Sequence, residues 1–161
     1  MNSEGRNFKG VLYFGLMITD NGIKVLEYNA RFGDPETQVV LPRLESDLFD
    51  IFNAICEERL DEIEIKWNND ACVCVIMASG GYPENYQKGK EISINNLDED
   101  ILLFHAGTSI QDNKLVTNGG RVLGITACGK DIEEARQKAY KNIKNIHFEG
   151  GFYRKDIGIK K

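Results

Sequence analysis

Residues 10–38 read GVLYFGLMITDNGIKVLEYNARFGDPETQ. Two apolar runs, 10–18 and 23–28, flank Asp20-Asn21-Gly22. Asn-Gly between such runs is a strong hairpin signal, because both central residues of a tight hairpin turn must tolerate positive φ. The second run ends on Glu27, Tyr28 and Asn29. On an extended strand, residues i and i+2 point to the same face. The Glu27 carboxylate and the Asn29 amide oxygen can therefore reach one hard cation together. Mg²⁺ takes one or two such oxygens and completes its shell with nucleotide phosphates and water. Arg31 continues that face, and its planar fork suits a phosphate or an acyl phosphate. On the residues alone, Glu-x-Asn is more often a solvent-facing strand end followed by a turn-forming Asn.

Beyond this stretch, Pro35 and Pro42 bracket a segment that begins as a helical turn. Apolar residues at 48, 51, 52 and 55 have helical spacing and predict a helix to about Arg59 or Leu60, with Ser46 or Asp47 as its cap. The polar run 61–69 marks a domain boundary. Residues 71–78 form a dense apolar strand, and Gly80-Gly81-Tyr82-Pro83 a turn. Short strands follow around 91–94 and 102–106. Lys114–Thr117 and Arg121–Cys128 read as strands joined through Asn118-Gly119-Gly120, again with hairpin chemistry. Asp131 opens a helix over 132–145 with capping-box spacing to Glu134; Ile132, Ala135, Ala139, Ile143 and Ile146 form its apolar face. A strand or loop from 147 to 157 closes the chain. The expected class is α+β. Antiparallel strands and a helix occupy residues 1–65, and an antiparallel sheet packed with a helix occupies 66–161.

The 161 residues are 42% hydrophobic and 28% charged, the composition of a soluble globular protein. A net charge of −5 without a long run of one sign argues against nucleic acid as the main partner. No apolar stretch approaches the roughly 20 residues that span a bilayer. Residues 1–7 lack the basic-then-apolar pattern of a secretory signal. No membrane partner and a cytoplasmic location are expected. Cys56, Cys72, Cys74 and Cys128 include no C-x-x-C pair and read as reduced, buried thiols. His105 and His147 lie far from any cysteine in sequence, so a zinc site has no support.

The run EYNARFGDPETQ at 27–38 closely resembles the signature of the phosphoribosylamine–glycine ligase family, also called glycinamide ribonucleotide synthetase. GVLYFGLMIT at 10–19, MASGGYP at 77–83, FHAGT at 104–108, TNGGRVL at 117–123 and GGFYRKDIG at 150–158 occur in the same order in that family. The likeness spans about residues 8–158 and is specific, because several unrelated runs agree in order and spacing. It implies an ATP-grasp enzyme that joins glycine to 5-phosphoribosylamine with ATP, through glycyl phosphate, in purine biosynthesis. It further implies that this chain is a C-terminal fragment. Residues 1–65 would be the end of the ATP-grasp domain and 66–161 the C-terminal domain. The small ATP-binding lobe and its glycine-rich phosphate loop have no counterpart here, so the 161 residues alone are expected to be inactive.

The resemblance reverses the bland reading of Glu27 and Asn29, which become ligands of Mg²⁺ or Mn²⁺. The preceding strand carries no acid, so a third protein carboxylate is not expected from it. Arg31 becomes a phosphate or glycyl-phosphate clamp, against the alternative of a surface arginine paired with Asp34 or Glu36. Asp34 is a candidate partner for a substrate amine, against a plain tight turn. Leu26 is a candidate contact for adenine, against core packing. Arg121, beside Asn118-Gly119-Gly120, is a weaker phosphate candidate. A lone His105 in mid-strand reads as structural. Two other classes fit parts of the sequence: another ATP-grasp ligase, and a non-catalytic binding or assembly module. Apolar surface left by absent lobes is expected to drive self-association.

Overall fold

The computed structural model describes residues 2–159 and divides into two compact units. One comprises residues up to 37 together with 44–68; the other comprises 38–43 together with 69 onward.

In the first unit, strands β1 (Tyr13–Thr19) and β2 (Gly22–Asn29) form the expected antiparallel hairpin. Its turn differs from the expected one. Only Gly22 takes positive φ, at 93°, while Asp20 and Asn21 stay out of the left-handed region. This is the longer hairpin connection that ends in a left-handed glycine. Farther along, the register slips between Gly15 and Leu16: Gly15 faces Glu27, whereas Leu16 faces Val25. Leu26 is the extra residue of a β-bulge, which bends the strand and re-aims side chains. A Cβ on Gly15 would lie 2.9 Å from Glu27 Cγ, so glycine there leaves the Glu27 side chain its present position.

After a turn at 34–36, helix α1 (Thr37–Val40) lies between the two prolines, and a single 3₁₀ turn, Leu41–Arg43, contains Pro42. Helix α2 (Leu48–Cys56) is capped by Asp47, whose carboxylate accepts from Phe49 N at 2.7 Å. Ser46 instead accepts from Lys66 N at 2.7 Å. The helix stops sooner than expected. Glu58 turns to φ 59°, and a 3₁₀ turn follows at Leu60–Glu62. Ile51 and Ala54 are buried, while Phe49 and Phe52 on the same helix are exposed.

The second unit is built on β3 (Ala71–Ala78). After it come β4 (Ser93–Ile94), β5 (Leu102–His105), β6 (Thr108–Gln111), β7 (Lys114–Thr117) and β8 (Arg121–Gly129). Helix α3 (Ile132–Ile143), β9 (Ile146–His147) and β10 (Phe152–Tyr153) complete it. The main sheet has the order β10-β3-β8-β5 and is antiparallel throughout. Val73, Val75 and Met77 of β3, Leu123, Ile125 and Ala127 of β8, and Ala135, Ala139 and Ile143 of α3 share one core.

Three expectations need correction here. The β7–β8 hairpin is absent, because β7 pairs with β6 across Asp112-Asn113, whose φ values are 48° and 61°. Two adjacent left-handed residues make the tight turn there. Asn118-Gly119-Gly120 instead allows close backbone crossing: a Cβ on Gly107 would lie 2.6 Å from Gly119 Cα. Helix α3 ends at Ile143 with Ile132 46% exposed, so its buried face is Ala135, Ala139, Asn142 and Ile143. Cys56 is exposed and the other cysteines are only partly buried. Among the described residues, no helix is long and apolar enough to cross a membrane.

Candidate functional site

The end of the hairpin gathers four oxygen-bearing side chains. Asn29 sits opposite Tyr13, and Glu27 opposite Gly15, on one face of the ladder. The Asn29 amide donates from Nδ2 to Glu27 Oε1 at 3.0 Å. That bond commits the amide NH₂ and leaves the Asn29 carbonyl oxygen and the second carboxylate oxygen as hard donors, the set that suits Mg²⁺ or Mn²⁺. Desolvation, then a hydrogen bond to Glu36, then the charges of Glu36 and Glu27, raise the Tyr13 phenol above its ordinary value. Tyr13 thus stays neutral and donates toward Glu36. A Cβ on the buried Gly33 would lie 2.3 Å from Glu36 Oε2, so a side chain at that position would push the Glu36 carboxylate from its present place.

Loop 30–36 is tied to the next element, since Gly33 O accepts from Thr37 N at 2.9 Å and from Thr37 Oγ1 at 2.5 Å. Arg31 is exposed, and its Nη1 donates to Phe32 O at 2.8 Å. Asp34 lies exposed in the turn. Leu26, at the bulge, is 63% exposed, so it is not part of a core within this unit. Among the described residues, no group of three or more His, Cys, Asp or Glu is placed to hold a metal. Within the Glu27–Asn29 pair, the donors on offer are one carboxylate and one amide.

In the second unit, Arg121 lines a recess of about 170 Å³ with Ile76, Ala78, Tyr82, Phe152 and Arg154. The adjoining glycine turn is engaged internally: Ser79 Oγ donates to Gly119 O and Ser79 N to Gly120 O, each at 2.8 Å. His105 Nδ1 lies 3.2 Å from Thr108 Oγ1, a local structural contact.

Sequence reasoning missed Tyr13 and Gly15. Both were legible in part, because a hairpin closed near residue 21 brings residues around 13–15 opposite 27–29. The bulge at Leu26 hid the exact pairing.

The sequence matches two family models. "Phosphoribosylglycinamide synthetase, C domain" matches residues 72–160, and "Phosphoribosylglycinamide synthetase, ATP-grasp (A) domain" matches residues 1–37. It is 52% identical over 157 residues to the phosphoribosylamine–glycine ligase of Caldanaerobacter subterraneus subsp. tengcongensis, covering 98% of this chain and 38% of that protein. It is 50% identical to the Synechocystis enzyme of the same name, with the same coverage. The crystal structure of phosphoribosylamine–glycine ligase from Thermotoga maritima matches with a TM-score of 0.77 and 43% identity, over 96% of this chain and 38% of that one. The chain therefore spans well under half the length of these relatives. A Kluyveromyces lactis urea carboxylase matches at TM-score 0.58 and 15% identity, a likeness of fold alone.

Proposed function

This chain belongs to the phosphoribosylglycinamide synthetase family, and we accordingly propose that it is the C-terminal part of an ATP-dependent carbon–nitrogen ligase. In that reading the whole enzyme joins glycine to 5-phosphoribosylamine through glycyl phosphate, yielding glycinamide ribonucleotide for de novo purine biosynthesis. Residues 1–65 serve as the end of the ATP-grasp domain and 66–161 as the C-terminal domain. The observation that carries the reading is the Glu27–Asn29 pair, hydrogen-bonded at 3.0 Å within the segment matched to the ATP-grasp domain.

Glu27 and Asn29 would hold Mg²⁺ or Mn²⁺, and the chemistry a bound cation supplies there is charge neutralisation on the nucleotide phosphates. Tyr13 and Glu36 keep that end of the strand in place. Arg31, on an exposed loop, clamps the transferred phosphate or the acyl phosphate with its fork. Asp34 receives the amine of a substrate. Leu26, pushed out at the bulge, offers an apolar surface to adenine.

The test is ADP release from a full-length ligase whose matching segment is replaced by these 161 residues. Release should require both glycine and freshly prepared phosphoribosylamine. Release with another carboxylate or amine in their place would point to a different ATP-grasp ligase. A polypeptide of these 161 residues alone should release none, because this chemistry needs ATP enclosed and water excluded.

A further inference from the structure

We propose that Cys72 and Cys128 are a redox pair that closes into a cross-strand disulfide when the protein meets an oxidised low-molecular-weight thiol. The two residues face each other directly in the β3–β8 ladder. The Cys128 S–H points at Cys72 Sγ across 3.2 Å. Directly opposed residues of an antiparallel pair have Cα atoms about 4.5–5.5 Å apart, inside the range of about 4.4–6.8 Å that a disulfide spans. Bond formation at about 2.05 Å then asks the sulfurs to approach by roughly 1 Å, which side-chain rotation supplies without moving the strands.

The surroundings make the pair selective and accessible. Val73, Val75 and Ala127 point into the core with α3, so strand alternation turns Cys72 and Cys128 to the other face. Both are only partly buried. Cys74 stands opposite Thr126 in the ladder, not opposite a cysteine. Cys56 is exposed on α2. Burial first, then the Cys128 hydrogen bond and charge and the nearby Cys74, push the Cys72 thiol up to about 12, with Arg43 opposing. Attack requires the thiolate, so closure is slow at neutral pH.

The exchange balances with a small disulfide such as oxidised glutathione as the oxidant. One protein thiol loses its proton and attacks a sulfur of the small disulfide, expelling one small thiolate. The second protein thiolate attacks the resulting mixed disulfide at the protein sulfur and expels the other. The protein gives up two electrons and two protons, which leave as two small thiols. Excess reduced thiol reverses both steps.

The 161-residue chain is equilibrated with oxidised glutathione, quenched in acid, alkylated and analysed by mass spectrometry. Alkylatable thiols should fall from four to two, the intact mass before alkylation should drop by two hydrogens, and digestion should yield one peptide pair linking Cys72 to Cys128. Cys72→Ser and Cys128→Ser should each abolish that link. If either variant fails to fold, Cys56→Ser combined with Cys74→Ser carries the test: it should lose both remaining thiols on oxidation and recover both on reduction. A link through Cys74 or Cys56, a persistent glutathione adduct, or four thiols still alkylated after equilibration would overturn the proposal.

Discussion

Gly15 sits where a side chain would strike Glu27. A Cβ there would meet Glu27 Cγ at 2.9 Å, so Gly15→Ala must displace the carboxylate by a few tenths of an ångström. Displacements of about 1 Å at a reacting centre can cost about 10²-fold. We expect Gly15→Ala to lower ligase turnover by about tenfold, with thermal stability changed little. Steady-state ADP release at saturating Mg²⁺ checks it, and unchanged turnover would show that Glu27 has room to spare. Glu27 and Asn29 were legible as a pair because strand alternation needs only their spacing. Gly15 and Tyr13 were not, since a one-residue bulge at Leu26 leaves no mark in residue type. The roles given to Arg31, Asp34 and Leu26 came mainly from the family resemblance, and the structure adds that all three side chains are exposed.

Helix α3 is fastened by a buried amide. Asn142 is 1% exposed; its Oδ1 accepts from Asp98 N at 2.8 Å, and its Nδ2 donates to Asp98 Oδ2 at 2.9 Å. Asn142→Leu would leave the Asp98 N–H without its acceptor, at a cost of about 2–3 kcal/mol. Urea denaturation at neutral pH should show that loss without a change in slope. The Asp98 carboxyl is held below its ordinary value, first by the hydrogen bond from Lys141 and then by that from Asn142. A depressed carboxyl contributes stability above its unfolded pKa, near 4, and loses it as pH falls through the lower folded value. Wild type and Asp98→Asn should therefore differ most above pH 4 and converge on acidification; a gap that widens below pH 4 would refute this. The caps were readable, since Asp131 accepts from Glu134 N at 2.8 Å at the position where capping-box spacing put it. Strand partners were not. Asn118-Gly119-Gly120 has the residue types of a hairpin turn, yet Gly119 serves a tight backbone crossing with Gly107 and Gly120 makes room for the Tyr82 ring, long-range demands invisible to local pattern.

Across the molecule, the α+β class and the antiparallel sheet followed from alternation and turn residues. The excursion of residues 38–43 into the second unit did not, because it depends on packing far along the chain. One face of the hairpin presents Phe14, Leu16, Ile18, Ile23, Val25 and Tyr28, all exposed, with Ile18 at 84%. Contiguous apolar surface of this kind favours association. A polypeptide of these 161 residues should show a weight-average mass that rises with concentration in sedimentation equilibrium, and Ile18→Lys with Ile23→Lys should suppress the rise. A concentration-independent monomer would contradict this.

Glu27, as a cation ligand, is the residue on which the proposed chemistry depends most. ADP release should be measured at limiting Mg²⁺ in a full-length ligase carrying these residues, comparing Glu27 with Glu27→Gln. Removing one ligand charge should lower turnover by about 10²-fold or more, a loss of several kcal/mol in transition-state stabilisation. Turnover equal to that of the unsubstituted enzyme would contradict the assignment.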